Sequence, residues 1–346
     1  MNILLTCAGR RNYLVNFFQE ALGNRGYVLA GDAISEAPAL QEADESFLLP
    51  SVNHHDYFDK LLYICQENQI RLLIPLNDLE LPLLARQRER FLKIGTIPVI
   101  SSPKVIDICF DKWATCEFLN NLGISVPKTY LSVKQARAAI QHGEICFPLV
   151  VKPRWGSASI GIEYPEDDED LELAYRFVNK SLNKSFLAGI SSTDPEQCIL
   201  IQEKVIGQEY GLDIVNNLEG THITTFVKRK LAMRAGETDK AVTVEHEDLR
   251  KLGATIGENI GHIGNLDCDV IISEKGARVL EMNPRFGGGY PFSQIAGANL
   301  PAALIAWANG ETPKEQWLKV QNNIISAKCD RLVNITSKSI SSNADE

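Results

Sequence analysis

The sequence predicts a parallel α/β domain followed by a region of mixed α and β structure. In the first hundred or so residues, short apolar segments alternate with segments of helical spacing, which is typical of an open parallel sheet. In the second half, pairs of apolar segments are separated by short polar turns, which indicates hairpins. The chain has 346 residues, more than one ordinary domain holds.

The first domain is predicted over residues 1–104. Its predicted strands are 2–7, 27–31 and 71–76, and its predicted helices are 12–22 and 58–68. Parallel sheets bind ligands beyond the carboxyl ends of their strands. The turn after the first strand contains Gly9 but lacks the G-x-G-x-x-G spacing of dinucleotide-binding turns, so NAD binding is not favoured.

Charged residues follow two of these strands. Arg10 and Arg11 come after the first strand, and Asp78 and Glu80 come after the strand 71–76. Because parallel strands end at one edge of the sheet, opposite charges would face each other there. Arginine binds a carboxylate and an acid binds an ammonium group, so a zwitterionic substrate is one interpretation. The alternative is a set of loop charges that only meet solvent.

The composition is that of an acidic globular protein. The net charge is −9 and no extended basic block occurs, which argues against nucleic acid as a partner. No apolar run of about eighteen residues occurs, so no membrane span is expected. The N-terminal charges follow the first apolar stretch, which is not the order of a signal peptide. The cysteines form no CxxC pair, which favours reduced thiols in a cytoplasmic protein.

The second half is predicted to form two lobes and a tail. A capped helix pair ends at Gly123, and a glycine- and serine-rich turn then separates two predicted strands within residues 147–162. We assign residues 105–206 to a first lobe and 207–336 to a C-terminal lobe. Residues 337–346 are polar and are predicted to form a flexible tail.

The strongest chemical signal is a predicted hairpin over residues 267–285. Its turn sets Asp269 opposite Glu281, and Asn283 shares a face with Glu281 because side chains alternate along a strand. Three oxygen donors would then converge. Such donors suit Mg²⁺ or Mn²⁺ held together with phosphate groups. Asp267 competes with Asp269 as the first ligand, and the hairpin register favours Asp269.

Two features next to this hairpin support an anion site. The fork of Arg285 can reach a phosphate or a developing oxyanion. The three glycines that follow it would let backbone N–H groups approach an anion; they are Gly287, Gly288 and Gly289. The alternative is a solvated strand face with chance acids.

Two further segments have the chemistry of a nucleotide site. Lys152 ends a buried apolar strand, where an ammonium group needs a partner, and the glycine- and serine-rich turn after it could fold over phosphates. Glu203 and Glu209 flank a short connector and could bind a base amine and ribose hydroxyls. Taken alone, a glycine- and serine-rich segment is usually only a turn, and surface acids are at least as good an interpretation of the second segment.

Taken in order, these segments resemble the ATP-grasp superfamily. Within it, they are most similar to the carbamoyl-phosphate-synthetase-like single-chain amino-acid ligases, which include the pyrrolysine-biosynthesis ligase. The resemblance covers roughly residues 1–312, and E-M-N-P-R-F-G-G-G-Y-P is its most specific segment. It implies an ATP-grasp fold with a parallel pre-ATP-grasp domain, a small lid lobe and a C-terminal mixed-sheet lobe.

The resemblance also implies roles for individual residues. The residues that would bind ATP are Lys112, Lys152, Gly156, Ser157, Ser159, Gly161, Glu203, Lys204, Val205 and Glu209. The metal ligands would be Asp269, Glu281 and Asn283, with Arg285 and Lys152 as the catalytic cations. Contacts to the acceptor would come from Lys228, Arg234 and Glu237, on a strand that faces it, and from the three glycines.

The sequence therefore predicts an ATP-dependent ligase that turns a carboxylate into an acyl phosphate and passes the acyl group to an amine. The expected cofactors are ATP and Mg²⁺ or Mn²⁺, and the expected partners are small carboxylates and amines. A homodimer is left open. A carboxylase that works through carboxyphosphate and a catalytically silent nucleotide-binding protein are the alternatives.

Overall fold

The computed structural model describes residues 1–156, 161–185, 187–192 and 194–335. Within them the chain forms one parallel sheet and two antiparallel sheets, which confirms the predicted fold class. Ser157, Ser159 and the predicted tail 337–346 lie outside the described residues. The domain boundaries given above stay predictions.

The N-terminal domain is a parallel sheet with helices on both faces. Its strands are β1 Asn2–Thr6, β2 Val28–Asp32, β3 Glu45–Leu48, β4 Ile70–Pro75 and β5 Ile97–Pro98. Its helices are α1 Asn12–Leu22, α2 Pro38–Glu42, α3 Tyr57–Glu67, α4 Leu81–Arg86 and α5 Arg88–Lys93, with a short 3₁₀ turn at Gly23–Arg25. Each strand and helix predicted for this domain occurs, with ends shifted by at most about a residue.

The strand order of this sheet, β3-β2-β1-β4-β5, creates a crevice between β1 and β4. The chain winds to one side of β1 and returns to the other side at β4, so the loops after these two strands diverge. The loop after β1 contains Arg10 and Arg11, and the loop after β4 contains Asp78 and Glu80. These two charged loops therefore lie at one edge of the sheet, as predicted, and form a rim of the N-terminal domain.

Glu80 stabilises this crevice from within. Its side chain is fully buried. One carboxylate oxygen accepts hydrogen bonds from the Thr6 hydroxyl at 2.8 Å and the Tyr57 hydroxyl at 2.6 Å. The other oxygen accepts from the backbone N–H groups of Leu76 and Asn77 at 3.0 and 3.1 Å. Glu80 thus joins the ends of β1 and β4 to α3.

A helix pair and a small antiparallel lobe follow. The helices of the pair are α6 Pro103–Phe110 and α7 Lys112–Asn121, capped by Ser102 and Asp111. The lobe contains β6 Thr129–Tyr130, β7 Leu149–Pro153 and β8 Ile199–Glu203, with α8 Val133–Gln141, α9 Asp168–Leu182 and α10 Ala188–Ser191. The strand predicted after the glycine- and serine-rich turn is wrong within the described residues, because only an isolated bridge joins Glu163 to Val151.

The C-terminal lobe is built on a six-stranded antiparallel sheet with the order β13-β12-β9-β10-β11-β14. Its strands are β9 Gln208–Asn216, β10 His222–Arg234, β11 Glu237–Thr243, β12 Gly264–Ser273, β13 Gly276–Asn283 and β14 Ile325–Ala327. Its helices are α11 Glu247–Ile260, α12 Tyr290–Ile295 and α13 Leu300–Ala308, with a 3₁₀ turn at Glu315–Leu318.

The two faces of this sheet differ in chemistry. On one face, Leu212, Ile214 and Cys268 pack in a core that includes residues of α6, α7 and α11. Because side chains alternate along strands, the residues between them face the other way, and many of those are charged. A separate apolar cluster joins α12 and α13 to β1 and α1 of the N-terminal domain. The charged face therefore meets the crevice between β1 and β4.

In the part of the chain that the structure describes, no helix is both long and apolar enough to cross a membrane.

The contacts of Glu80 predict a large effect on stability. Glu80→Ala removes the acceptor for four hydrogen bonds in a fully buried site. An unsatisfied buried donor costs about 1–3 kcal/mol, so we expect the free energy of unfolding to fall by about 3 kcal/mol or more in urea titrations. Glu45→Ala, on the exposed side of β3, is the control and should change it by less than about 0.5 kcal/mol. Similar small losses in both variants would contradict this account.

Candidate active site

Four oxygen-donor side chains lie together on β12 and β13. Asp267 pairs with Asn283, and Asp269 pairs with Glu281, so all four share the charged face. The predicted pairing of Asp269 with Glu281 is confirmed. The ladder shifts register between Asp269 and Val270, and this irregularity brings the pair opposite each other. The preference for Asp269 over Asp267 as a ligand stays a prediction.

The donor set fits a divalent cation. Burial, followed by the charge of Asp269, raises the pKa of the Asp267 carboxyl. Burial and the charge of Glu281 also raise the pKa of Asp269, although Lys230 opposes this. The two aspartates thus resist ionisation, and a cation bound among these oxygen donors would remove that cost. Carboxylate and amide oxygens are ligands that Mg²⁺ accepts.

Lys230 provides positive charge beside these carboxylates. Its ammonium group lies 2.7 Å from Asp269 and 3.7 Å from Glu209, and only 6% of its side chain is exposed. Lys230 thereby connects the predicted ribose contact, Glu209, to the predicted metal site. Lys230 had no predicted role, although Lys228 and Lys230 lie two residues apart on β10 and therefore share a face.

Arg285 lies at the junction of the N-terminal domain and the charged sheet. Its guanidinium is 2.6 Å from Asp78 and 3.9 Å from Asp267, and it donates to the carbonyl of Phe286 at 3.2 Å. Although burial opposes it, the charge of Asp78 raises the pKa of Arg285. Among the described residues, its buried Nε has no hydrogen-bond partner. One donor of the guanidinium is therefore buried at the site and unsatisfied by the described residues.

Two lysines approach the same site from the other side. Lys152, at the end of β7, and Lys112, at the start of α7, are both coupled electrostatically to Glu281. Burial and then the charge of Lys112 lower the pKa of Lys152 to about 8. Within the described residues no ion pair or hydrogen bond involves the Lys152 ammonium group. A buried and a half-buried cation that interact electrostatically indicate a site for a strong anion.

Local contacts explain the position of Lys112. Asp111 caps α7 through the N–H of Trp113 at 2.9 Å. The same carboxylate accepts hydrogen bonds from Nε and Nη2 of Arg154 at 2.8 and 2.7 Å. The Lys112 ammonium group donates to the carbonyl of Gly156, where the predicted phosphate loop begins. The start of α7 is therefore fixed to the end of β7.

The predicted adenine hinge joins β8 to β9. The carboxylate of Glu203 accepts from the N–H of Lys128 at 3.0 Å and lies 3.4 Å from Arg278. Lys204 extends over the ring of Tyr164. Val205 lies outside both strand ladders, as does Lys204, so their backbone groups are better placed to meet a base than the Glu203 carboxylate is.

The three glycines after Arg285 make room for charged side chains. A β-carbon at Gly287 would overlap the Asp267 carboxylate, and one at Gly289 would lie 2.6 Å from Cε of Lys228. At Gly288 it would lie 3.2 Å from the Glu237 carboxylate. The φ of Gly289 is −85°, an ordinary value. Close approach of side chains therefore favours glycine most strongly at Gly287 and Gly289, and this differs from the predicted role in anion binding.

Lys228 belongs to a buried network that supports this glycine segment. Its side chain is 1% exposed and pairs with Asp213 at 2.6 Å. Ser293, in α12, donates to the same carboxylate, and Asn265 lies 3.4 Å from its other oxygen. The predicted substrate contact at Lys228 is therefore not supported. Lys228 instead holds Gly289 and α12 against the sheet.

The predicted substrate residues of the N-terminal domain fall into two groups. Asp78 pairs with Arg285 and lines a cavity next to Gly156 and Asn283, whereas Glu80 is fully buried in its own hydrogen-bond network. Arg10 and Arg11 remain at the open rim, where Arg11 donates to the carbonyl of Leu76. Both acids have structural partners, and the predicted substrate role of the two arginines and two acids stays a prediction.

Two family models match the chain. A PylC-like, N-terminal domain matches residues 3–100. An ATP-grasp domain matches residues 109–289, more than half of the chain. The second match includes both lysines, the hinge, the hairpin and Arg285.

Individual proteins are more distantly similar. The carbamoyl phosphate synthase large chain of Mycobacterium sp. (strain JLS) is 24% identical over 220 residues, which is 61% of this chain but 19% of that protein. The chain thus spans about a fifth of the length of the curated relatives it matches.

Solved structures show the same fold. The biotin carboxylase domain of Hydrogenobacter thermophilus 2-oxoglutarate carboxylase has a TM-score of 0.73 at 17% identity, over 94% of this chain and 73% of that one. The L-amino acid ligase of Bacillus licheniformis has a TM-score of 0.66 at 17% identity, over 88% and 74%. Because the ATP-grasp domain model matches more than half of its residues, the chain belongs to the ATP-grasp family.

Proposed function

We propose that the protein is an ATP-dependent ligase that activates a small carboxylate as an acyl phosphate and joins it to an amine, with an amino acid among its substrates. The observation that carries this proposal is the convergence of Lys112, Lys152 and Arg285 on a face that also presents Asp269 and Glu281. Phosphoryl transfer needs this combination of cations and metal-binding oxygens, and needs no protein nucleophile.

The cations divide the work of holding negative charge. Lys152 and Lys112 would bind the phosphates of ATP, and the free Nε of Arg285 would hold an oxygen of the phosphoryl group that is transferred. The substrate carboxylate attacks the γ-phosphorus, and ADP leaves. The amine, in its neutral form, then attacks the acyl carbon; the bond to phosphate breaks, and the leaving phosphate takes up the proton that the amine loses. Water must be kept out, because it would hydrolyse the acyl phosphate.

The residues suited to hold magnesium are Asp269, Glu281 and Asn283, with Asp267 beside them. A bound Mg²⁺ would neutralise charge on the phosphates during transfer. The structure of the Hydrogenobacter thermophilus domain contains MgADP and bicarbonate, which is consistent with nucleotide binding by this fold. Manganese in place of magnesium, a cytoplasmic location and a homodimer stay predictions.

An assay of ADP release separates this function from its alternatives. The purified protein is incubated with ATP, Mg²⁺ and a panel of amino acids and other small carboxylates, with bicarbonate as a separate arm. The ligase predicts ADP release that depends on both a carboxylate and an amine. Release with bicarbonate alone would favour the carboxylase, and no release with any member would favour the catalytically silent protein.

The metal assignment predicts the effect of removing one charge from the hairpin. Glu281→Gln keeps the size of the side chain but removes a charged ligand, so ADP release should fall by about a hundredfold or more. The control is Glu274→Gln, at the exposed tip of the same hairpin, which should keep normal activity. Excess EDTA should abolish release by the unmodified protein. Near-normal turnover by Glu281→Gln, or in EDTA, would refute the assignment.

The lowered pKa of Lys152 predicts a pH dependence of nucleotide binding. Lys152 faces Lys112, Cys116 and Glu281, and its pKa is about 8. Phosphates bind the charged ammonium, and that form is lost as pH rises through about 8. The dissociation constant for an ATP analogue, measured by calorimetry, should therefore increase between about pH 7 and pH 9.

Lys152→Arg provides the matched test, because arginine stays charged over this range. Its binding should depend on pH much less steeply. An unmodified protein that binds the analogue equally well at about pH 7 and pH 9 would show that Lys152 does not control the affinity.

A further inference from the structure

The segment after α13 adds the edge strand to the sheet of the C-terminal lobe. Its strand β14 pairs with β11, and the N–H of Lys328 continues this pairing to the carbonyl of Asp239 at 2.8 Å. We call residues 325–331 the C-terminal strap. Asp330 contacts Arg234 at 2.8 Å and Arg10 at 4.0 Å. The strap therefore connects the edge of the charged sheet to the rim of the N-terminal domain.

A second contact anchors the end of the strap. Arg331 forms an ion pair with Glu42, in α2 of the N-terminal domain. The ATP-grasp match ends at residue 289, so the strap lies outside it. Nothing in the pattern of the sequence marks these residues, because their partners lie in distant segments.

Lys328 extends from the strap towards the glycine segment. Its ammonium group is 2.8 Å from the Glu237 carboxylate. A β-carbon at Gly288 would lie 3.4 Å from this ammonium group and 3.2 Å from the carboxylate. Gly288 is partly exposed, whereas Gly287 and Gly289 are buried. The ion pair of Lys328 and Glu237 therefore stands at the solvent-accessible side of the glycine segment.

The surroundings of this ion pair favour the charged form of Glu237. Burial alone would raise the pKa of Glu237, but Lys328, Arg11 and Arg10 together hold it below its ordinary value. Lys328 is 21% exposed and Glu237 is 56% exposed, measured on their side chains. A ligand can therefore reach both charges without unfolding the strap.

We propose that Lys328 and Glu237 form the binding site for the acceptor amino acid, with Lys328 holding its carboxylate and Glu237 holding its amino group. The proposal rests on the function proposed above. A zwitterion entering between the two side chains replaces their mutual ion pair with two ion pairs of the same kind, so neither charge is left without a partner. Arg11, coupled electrostatically to Glu237, adds attraction for the carboxylate.

The site lies next to the groups assigned to phosphate transfer, because Gly287, the neighbour of Gly288, packs against the Asp267 carboxylate. Lys328 and Glu237 stand at Gly288, whereas the metal donors Asp269 and Glu281 pair with each other on β12 and β13. The ligand at Gly288 is therefore assigned as the acceptor, and the carboxylate that is phosphorylated belongs at the metal donors. In this role Lys328 is a specificity-determining residue contributed by the strap.

The test asks whether Lys328 recognises the carboxylate of the acceptor. The carboxylate substrate is kept saturating, and the acceptor is varied as the amino acid that gives the fastest ADP release or as its C-terminal amide. Lys328→Met keeps the length of the side chain and removes its charge. We expect kcat/KM for the amino acid to fall about tenfold or more, mainly through KM, with kcat/KM for the amide changed by less than about threefold.

The control is Lys240→Met, which makes the same change at an exposed position of the neighbouring strand β11 and should leave both acceptors unaffected. Lys328→Arg should restore most of the preference for the free acid, and the KM for ATP should stay constant. Equal losses for acid and amide, or no loss, would overturn this proposal and leave the ligase function standing. An unmodified protein that releases no ADP with any amino acid would overturn both.

Discussion

The buried ion pair between Arg285 and Asp78 holds the site together. Its partners lie 207 residues apart in the sequence, on the hairpin that carries the metal donors and on the loop after β4. Removing one partner of such a pair leaves an uncompensated buried charge, which costs about 3–5 kcal/mol. The orientation of Arg285 therefore depends on the docking of the N-terminal domain. That domain contributes to the geometry of the site even where it does not touch a substrate.

Two lysines on β10 balance the negative charge of the carboxylates on the neighbouring strands. Lys230 offsets Asp269 and Glu209, whereas Lys228 is committed to Asp213 in the interior. Two lysines on one strand thus have different roles, because one lies beside partly exposed acids and the other is fully buried. Cations fixed in this way need no reorganisation when a phosphate arrives, which is the main electrostatic advantage of a preformed site.

The glycine segment shows how a sequence signal can have a different cause from the one first inferred. Three glycines suggest a backbone that binds an anion, but here Asp267 and Lys228 occupy the space that side chains would need. The segment packs closely against Asp267 and Lys228 because its glycines have no side chains in that space. Its glycines therefore set the distance between the metal donors and the strap.

The sequence by itself determined the features that depend on local periodicity. The apolar strands and helices of the N-terminal domain and the capped pair α6 and α7 follow from spacing and capping. The hairpin follows from its short turn, whereas the pairing of Asp269 with Glu281 also needs the register shift after Asp269. These are contacts between neighbours in the chain, or between strands that a short turn joins. The family resemblance then ordered the remaining segments.

Only the tertiary structure decided which charged residues are free. Asp78 and Glu80 have the same local pattern as an exposed acidic rim, yet one is neutralised by Arg285 and the other accepts four hydrogen bonds. Lys328 lies in a segment without a distinctive pattern, yet the strap carries it to Glu237. Whether a charge faces solvent, a ligand or a buried partner depends on segments distant in the chain, and the pattern around one residue does not contain that information.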